Sequence, residues 1–277
     1  MTKTYVAITG GTGFIGSNLL SMLGRNENYH IRVLDRRKHE LLRPPSMESL
    51  LAKADIVVHL AGANRGSWPE LFHDNVQGTF GLLEGMSSYC PNAILIFASS
   101  AQAYKHQSFY GLTKKVAEQL IEQYATTKSM RAFVMRLSNV YGPGGQPFYN
   151  SVIATFEYSI HHRMKLIVKG DGTQIRDYIF VSDVCDAIVK AMERKPKEPF
   201  CRLDVCSGET VSVNELINAF EKIVGHRVNV LHQMEGEGHE DQATLNCLPA
   251  RTILGWRPKM ALEEGLQLVM EEYQNRT

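Results

Sequence analysis

Short hydrophobic runs alternate with longer segments of helical periodicity along the first half of the chain. The short runs are nearly continuous in apolar residues, which is typical of strands covered on both faces. Strands of this kind alternating with helices indicate strand–helix–strand units. The predicted strands are 5–9, 30–35, 55–60, 93–98 and 131–137. The predicted helices are 14–24, 75–87 and 111–128. The pattern therefore predicts an α/β fold built on a doubly wound parallel Rossmann sheet.

The rhythm changes after Gly145, where strands and helices no longer alternate regularly. The elements predicted there are helices at 150–161, 182–193, 212–224 and 261–273 and strands at 165–168 and 200–205. The polar segment 233–241 is predicted to be a surface loop. We expect residues 1–142, joined again by 177–206, to form the Rossmann domain. The remaining residues, 143–176 and 207–277, are expected to form a smaller α/β lobe that closes over a site on the first domain.

Composition and charge restrict the possible functions. The chain has 277 residues, enough to bury a sizeable core, and its 44% hydrophobic and 21% charged content is ordinary for a globular protein. A formal net charge of +1 argues against a nucleic-acid-binding protein, which usually carries a basic patch. No apolar stretch approaches the roughly 20 residues of a membrane helix, and the first residues lack the features of a secretory signal. We therefore expect a cytoplasmic protein with no membrane partner.

The cysteines and histidines follow no pattern of disulfides or metal sites. The cysteines are odd in number, scattered and without a C-x-x-C pair, so we expect inert, mostly buried thiols. They are Cys90, Cys185, Cys201, Cys206 and Cys247. His161 and His162 are adjacent, so on a helix they point in different directions and cannot share a metal ion. No metal site is expected.

A glycine-rich turn follows the first predicted strand directly. The run Thr9-Gly-Gly-Thr-Gly-Phe-Ile-Gly16 leads into the first predicted helix. Gly10 would allow the tight turn, Gly13 would let a pyrophosphate approach the backbone, and Gly16 would let helix and strand pack closely. We expect the helix N-terminus to face the phosphates of a dinucleotide. The residues expected to bind it here are Gly10, Gly13, Phe14, Ile15 and Gly16.

An acid at the end of the second predicted strand supports a dinucleotide site. Asp35 follows the glycine run by about 20 residues, where a carboxylate can bind the ribose diol of NAD. The same carboxylate would repel the extra phosphate of NADP, whereas Arg36 and Arg37 could hold that phosphate if Asp35 turned aside. We favour NAD as the cofactor and leave NADP open.

Two side chains at the start of the long predicted helix indicate acid–base chemistry. Tyr110 and Lys114 are four residues apart, so they share one face of the helix. A phenol with a pKa of about 10 is a poor base at neutral pH, but a nearby ammonium group favours its phenolate form. Ser100 follows the strand predicted at 93–98 and could hydrogen-bond the reacting oxygen and share its charge.

Together these features resemble the extended short-chain dehydrogenases, the family of nucleotide-sugar epimerases, dehydratases and ketoreductases. The resemblance runs nearly end to end. Further matching runs are His59-Leu-Ala-Gly62, Asn75-Val-Gln-Gly-Thr79, Ser99 to Tyr104, Arg136-Leu-Ser-Asn-Val-Tyr-Gly-Pro143, Gly170-Asp-Gly-Thr-Gln-Ile-Arg-Asp-Tyr178, Ser207-Gly-Glu209 and Leu254-Gly-Trp256.

The resemblance implies a role for each matching residue. The catalytic trio would be Ser100, Tyr110 and Lys114. The cofactor would also be contacted by Leu60, Ala61, Gly62, Tyr110 and Lys114. The substrate, a nucleotide-diphosphate sugar, would be held by Ser100, Asn139, Arg176 and Tyr178. Members of the family usually dimerise through their long helices, so a homodimer is expected as well.

Departures from the family pattern narrow the activity. Where dehydratases of the family carry an Asp-Glu pair, this chain has Ala101-Gln102-Ala103, which argues against 4,6-dehydration. The link from Tyr104 to Tyr110 is much shorter than in typical 4-epimerases. Asp241 fits the family, but the arginine that usually precedes it is missing, which puts a contact specific for uridine in doubt.

Parts of the chain also resemble a narrower group, the capsule-sugar ketoreductases that reduce UDP-linked 4-keto-2-acetamido-dideoxy-hexoses with NADPH. The matching runs are Leu50 to Arg65, Ser99 to Ala103 and Tyr149 to Phe156. Asp35 conflicts with the NADPH preference of that group.

The sequence leaves three functions open. A 4-ketoreductase would deliver hydride once, with Tyr110 protonating the new alkoxide. A nucleotide-sugar 4-epimerase would remove hydride and return it to the other face of the same carbon, with the same trio. A dinucleotide-sensing regulator would keep the fold without the chemistry, and the intact trio argues against it. We favour the 4-ketoreductase.

Overall fold

A parallel sheet at the centre of the molecule is built mainly from the first half of the chain. The computed structural model describes residues 3–24, 26–35, 37–105, 108–233 and 244–274. The strands of the sheet are β1 (Thr4–Thr9), β2 (Tyr29–Val33), β3 (Ile56–His59), β4 (Ile94–Ser100), β5 (Arg131–Leu137) and β9 (Phe200–Val205). They lie in the order β2-β1-β3-β4-β5-β9, and every neighbouring pair is parallel. The strand order reverses between β1 and β3, which leaves a crevice at their carboxyl ends.

Helices cover both faces of this sheet. They are α1 (Phe14–Leu23), α2 (Glu48–Leu51), α3 (Trp68–Leu71), α4 (Gly78–Tyr89), α5 (Phe109–Thr127), α7 (Val181–Met192) and α9 (Leu248–Leu254). Val6 and Ile8 of β1 pack into one core with α1 and α7, whereas Ala7 between them packs into the other core with α4 and α5. Burial on both faces explains why the strands are nearly continuous in apolar residues.

A smaller lobe follows β5. Its strands are β6 (Asn139–Tyr141), β7 (Leu166–Lys169), β8 (Ile175–Phe180), β10 (Thr210–Ser212) and β11 (Val230–Gln233). Its helices are α6 (Val152–His161), α8 (Val213–Val224) and α10 (Leu262–Gln274). The order β10-β8-β6 forms one sheet, and β11 pairs with β7 in another. Phe156, Phe220 and Leu266 lie in the separate core of this lobe.

The chain returns once from the lobe to the central sheet. After β8 it forms α7, which packs against α1, and then β9, which is the sixth strand of that sheet. We therefore propose the division 1–142 with 177–206 for the Rossmann domain and 143–176 with 207–277 for the lobe. The strands β6 and β8 cross this boundary, because β8 pairs both with β6 and with β10 of the lobe. Within the second range, Ala250 and Leu254 of α9 lie in the core of the larger domain.

The α/β fold predicted from the sequence is confirmed, and the differences are local. The helix predicted at 75–87 is a π-helical turn, Phe72–Gln77, followed by α4. The short strands β6, β8, β10 and β11 and the short helices α2, α3 and α9 were not predicted. Charged residues such as Arg176 and Asp177 interrupt the apolar pattern of β8. Apart from Gln233, the loop predicted at 233–241 lies outside the described residues.

The cysteines are free thiols, and the expectation that most are buried is confirmed. Cys201 is half-buried and the other four are buried. In the described part of the chain, no group of three His, Cys, Asp or Glu side chains could hold a metal ion. No helix within those same residues is both long and apolar enough to cross a membrane.

Candidate active site

A cleft of about 670 Å³ lies at the carboxyl ends of β1, β3, β4 and β5. Its walls are the glycine turn after β1, the loop after β3, the end of β4 and the first turns of α5. It is also lined by residues 137–140, 146 and 149–152, where the chain passes from β5 into the smaller lobe. A larger depression of about 1070 Å³ between α6, α8 and α10 contains none of the predicted site residues. The cleft is therefore the candidate site.

The glycine turn is tight enough to exclude side chains at two positions. Gly10 has φ of 71°, and a Cβ atom there would lie 2.5 Å from the backbone nitrogen of Ala61. A Cβ atom on Gly16 would lie 2.1 Å from the carbonyl oxygen of Gly10. At Gly13 the nearest atom would be the same oxygen at 3.3 Å, so this residue faces more open space. Gly10 and Gly16 are thus required for packing, whereas Gly13 leaves room in front of the backbone.

The N-terminus of α1 opens into the cleft. Gly13 is the N-cap and offers no side-chain cap, while Phe14, Ile15 and Gly16 line the cleft. The first amide groups of a helix have no partner inside the helix, and the helix dipole favours an anion there. An uncapped N-terminus in front of an open glycine position fits the pyrophosphate of a dinucleotide.

Asp35 lies beside this turn, just beyond the carboxyl end of β2. Oδ1 of Asp35 accepts a hydrogen bond of 3.0 Å from the backbone nitrogen of Arg37. The backbone nitrogen of Asp35 donates to Nδ1 of His39. These bonds fix the acid at the edge of the sheet, outside the lining of the 670 Å³ cleft. Arg36, one of the two arginines predicted to be able to hold an extra phosphate, lies outside the described residues.

The loop after β3 brings two more predicted residues into the cleft. Leu60 and Gly62 line it, and the backbone nitrogen of Ala61 donates to Oγ1 of Thr9 at 3.3 Å. A Cβ atom on Gly62 would lie 2.6 Å from Oδ1 of Asn75 and 3.4 Å from Nζ of Lys114. Glycine at this position lets the loop approach the ammonium group of Lys114.

Asn75 holds that loop against α5, a role the sequence did not suggest. Its Oδ1 accepts from the nitrogen of Ala63 at 2.9 Å, and its Nδ2 donates to the oxygen of Ala63 at 2.8 Å. The same Nδ2 also donates to Oγ1 of Thr113 at 3.0 Å. Asn75 belongs to a motif that matches the family, which was the available signal.

Ser100, Tyr110 and Lys114 meet in the cleft. Ser108 caps α5 through the nitrogen of Gly111, which places Tyr110 and Lys114 in its first two turns. The side chain of Ser100 lies close enough to the Tyr110 hydroxyl to lower its pKa. Nζ of Lys114 donates to the oxygen of Ala98 at 2.9 Å and lies 6.0 Å from the centre of the Tyr110 ring. The arrangement can move a proton at the Tyr110 hydroxyl.

Burial dominates the electrostatics of these groups. Burial raises the pKa of Tyr110 to about 12, and the nearby side chain of Ser100 lowers this pKa by a smaller amount. Burial also lowers the pKa of Lys114 to about 8, and the negative charge of Glu118 partly opposes this shift. Tyr110 is therefore a neutral phenol that can donate a proton. A cation bound beside it would favour the phenolate.

The three residues predicted to hold the diphosphate also come together. Asn139, Arg176 and Tyr178 line a cavity of about 220 Å³, which shares Asn139 and residues 150–152 with the main cleft. Asn139 and Tyr178 are direct neighbours across β6 and β8, and Nδ2 of Asn139 donates to the oxygen of Asp177 at 3.0 Å. Arg176 gives the cavity a positive charge.

Several cleft residues had no predicted role. The lining includes Asn64, Arg65, Gln102, Gln146 and Tyr149. Nη1 of Arg65 donates to the oxygen of Phe148 at 3.0 Å, so it connects the loop after β3 with the smaller lobe. Among the described lining residues, Arg65 and Lys114 are the charged side chains and no carboxylate is present. The cleft is suited to anionic molecules.

Comparison with known proteins gives a consistent result. The model of the NAD dependent epimerase/dehydratase family matches residues 6–201. A putative UDP-glucose 4-epimerase of Methanocaldococcus jannaschii is 28% identical over 98% of both chains. A UDP-2-acetamido-2,6-beta-L-arabino-hexul-4-ose reductase of Pseudomonas aeruginosa is 28% identical over 84% of this chain and 61% of that protein. The structure of UDP-glucose 4-epimerase from Thermotoga maritima with UDP-glucose has a TM-score of 0.88 and 27% identity, and 99% of each chain is covered.

Proposed function

Because the chain belongs to the NAD dependent epimerase/dehydratase family, we propose that it transfers hydride at C4 of a nucleotide-diphosphate sugar and reduces a 4-keto form of that sugar. The observation that carries this proposal is the meeting of Ser100, Tyr110 and Lys114 in one cleft, in front of the open N-terminus of α1. Folding alone does not require the catalytic trio to lie next to an open helix N-terminus, whereas a dehydrogenase reaction does.

The cofactor would be NAD, with NADP as the alternative. The pyrophosphate would lie on the glycine turn and the N-terminus of α1, with Leu60, Ala61 and Gly62 along the opposite side. Asp35 has one carboxylate oxygen that is not used by Arg37, and this oxygen would accept a hydrogen bond from the ribose. When bound, NAD(P)H would supply the hydride, and residues of the chain would donate the proton.

Tyr110 would donate its proton to the C4 oxygen as the ketone is reduced, which completes the alcohol. The phenolate that remains would be stabilised by the ammonium group of Lys114 until a proton returns from solvent. Ser100 would hydrogen-bond the same oxygen and hold it in front of Tyr110. A proton donor placed in this way contributes about 10² to 10⁴ to the rate.

The other end of the substrate would lie in the adjoining cavity. Arg176 would pair with the diphosphate, with Asn139 and Tyr178 beside it, since a guanidinium group binds phosphate oxygens in a planar, bidentate geometry. We expect Arg65 to contact an oxygen of the sugar, because it is the charged residue of the cleft other than Lys114.

A specific observation supports the main alternative, a 4-epimerase. Two of the relatives above are named as UDP-glucose 4-epimerases and match almost the whole chain. The reductase relative, in contrast, supports reduction of a 4-keto sugar. A 4,6-dehydratase is not favoured, because Ala101 and Ala103 offer no acid or base and the described lining of the cleft has no carboxylate.

The test supplies purified protein with a UDP-linked 4-keto-hexose and NADH or NADPH. We expect one equivalent of reduced cofactor to be oxidised for each sugar reduced. Interconversion of UDP-glucose and UDP-galactose without added reductant would instead identify an epimerase. Dinucleotide binding without turnover of either sugar would favour the sensing function.

A further inference from the structure

A buried ion cluster lies directly behind the candidate active site. Its centre is the carboxylate of Glu118, which is completely buried and one helical turn beyond Lys114 on α5. Oε1 accepts hydrogen bonds from Oγ of Ser99 at 2.5 Å and from Nε of Arg136 at 2.8 Å. Oε2 accepts from Nη2 of Arg136 at 2.6 Å and lies 3.2 Å from Nε of Arg202.

The cluster is extended by groups nearer the surface. The guanidinium of Arg136 stacks over the ring of Tyr104 at 3.9 Å, and the hydroxyl of Tyr104 donates to Asp204. Nη2 of Arg202 lies 3.3 Å from Oε2 of Glu122. Glu118 and Asp204 are both buried carboxylates of this cluster, and Arg136 and Arg202 connect Glu118 to β5 and β9.

Three consecutive residues at the end of β4 contact three residues on one face of α5. The oxygen of Ala98 accepts from Lys114, the hydroxyl of Ser99 donates to Glu118, and the side chain of Ser100 lies beside that of Tyr110. The middle contact is made to the buried carboxylate of Glu118. Loss of the Glu118 carboxylate would remove the side-chain bond that ties Ser99, the neighbour of Ser100, to α5.

Glu118 also acts on the charge of Lys114. The titratable groups that face the ammonium are Tyr110 and Glu118 on its own helix and His59 on β3. Burial lowers the pKa of His59 to about 3, so this ring is neutral at physiological pH. Glu118 is then the group that raises the pKa of Lys114 against the effect of burial.

A purely structural role does not explain a charge at this position. Replacing a buried ion pair by apolar side chains of similar volume is often neutral or stabilising, because desolvation of the ions is costly. Next to a lysine that must stay protonated, however, a buried carboxylate has a direct effect on the site. Building on the proposed function, we propose that Glu118 is a positioning residue, which orders Ser99 and Ser100 and provides the counter-charge that keeps Lys114 an ammonium ion.

The test measures the titration of Lys114 without any substrate. Trace acetylation of the protein at a series of pH values, followed by mass spectrometry of the peptide containing Lys114, gives the midpoint for that residue. In Glu118→Gln we expect the midpoint to fall by about half a unit to one unit, since an opposite charge nearby favours the ammonium form. In Glu118→Asp, which keeps the charge, the midpoint should return toward that of the original protein.

Glu122→Gln is the matched control, because Glu122 lies one turn further along α5, is half exposed and also pairs with Arg202. It should leave the midpoint of Lys114 unchanged. If Glu118→Gln does not fold, Arg202→Gln replaces it: loss of this partly exposed cation should raise the midpoint. An unchanged midpoint in folded Glu118→Gln, or in Arg202→Gln when it is the deciding variant, overturns the proposal.

Turnover gives a second readout that separates the two proposals. With a 4-keto sugar nucleotide, the alkaline limb of the pH–rate profile should move to lower pH in Glu118→Gln, by the same shift as the acetylation midpoint. An original protein without turnover would contradict the proposed function, while the acetylation experiment would still decide the role of Glu118.

Discussion

At the scale of single residues, the candidate site depends on two groups whose charges are set by burial. Tyr110 is a neutral phenol, with its pKa raised to about 12, and Lys114 is an ammonium group with its pKa lowered to about 8. The positive charges of an oxidised nicotinamide and of protonated Lys114 would favour the phenolate form of Tyr110 during the reaction. The sequence indicated this pair from its spacing, but not the burial that controls it.

Replacing Tyr110 by phenylalanine tests the proton donor. Tyr110→Phe keeps the ring and removes the hydroxyl expected to donate the proton, so we expect turnover to fall by about two orders of magnitude or more. Binding of NAD, measured by titration, should remain close to that of the original protein. Tyr124→Phe is the control on the same helix, because that hydroxyl bonds to Glu84, away from the cleft. Near-normal turnover in Tyr110→Phe would exclude this residue as the acid.

Replacing Asp35 by asparagine tests the choice of cofactor. The carboxylate is expected to accept a hydrogen bond from the ribose of NAD, and a bond to a charged group contributes about 1.5 kcal/mol, or a tenfold change in affinity. Asp35→Asn should therefore raise the Kd for NAD about tenfold and the Kd for NADP less. Asp186→Asn, which removes an acid that pairs with Lys259, serves as the control. If the ratio of the two constants did not change, Asp35 would not contact the ribose.

At the scale of elements, the β1–α1 turn combines two different requirements for glycine. A Cβ atom on Gly16 would lie 2.1 Å from the oxygen of Gly10, whereas one on Gly13 would lie 3.3 Å from it, which is tight but far less obstructed. Both positions fit one sequence motif, and only the packing around them separates a structural glycine from one expected to face the cofactor.

Alanine at Gly16 should mainly affect stability, whereas alanine at Gly13 should mainly affect binding of NAD. Gly16→Ala forces the backbone apart and should destabilise the fold by about 1–3 kcal/mol, which thermal unfolding would detect. Gly13→Ala should lower the unfolding temperature less than Gly16→Ala does, but it should weaken binding of NAD, because its methyl group occupies the space in front of the helix. Equal stability of the two variants would contradict this division.

At the scale of the whole molecule, α4 and α5 present aromatic side chains on the outside of the larger domain. Phe80 on α4 is 48% exposed and lies 6.4 Å from the ring of Tyr124 on α5. Phe109 at the start of α5 is 59% exposed and lies 5.2 Å from Trp68. These groups would be covered in the homodimer that we propose for the protein, through its long helices.

Sedimentation velocity tests this assembly. We expect the original protein to sediment as a dimer and Phe80→Asp as a monomer, because a buried unpaired carboxylate would oppose contact between the helices. Leu268→Asp on α10 is the control, since Leu268 is also exposed but lies on the smaller lobe. A monomeric original protein would show that the proposed dimer is wrong.

The sequence by itself determined the parallel α/β fold, the glycine turn and the spacing of Tyr110 and Lys114. These features are local, since periodicity and helix geometry depend on residues that are close along the chain. The tertiary structure alone decided that Asn139 lies beside Tyr178, that Arg65 reaches Phe148, and that Asn75 holds the loop at Ala63. It also placed Glu118 between Ser99, Arg136 and Arg202. Such contacts join residues distant in sequence, and they depend on how strands and helices pack, which no pattern within one segment specifies.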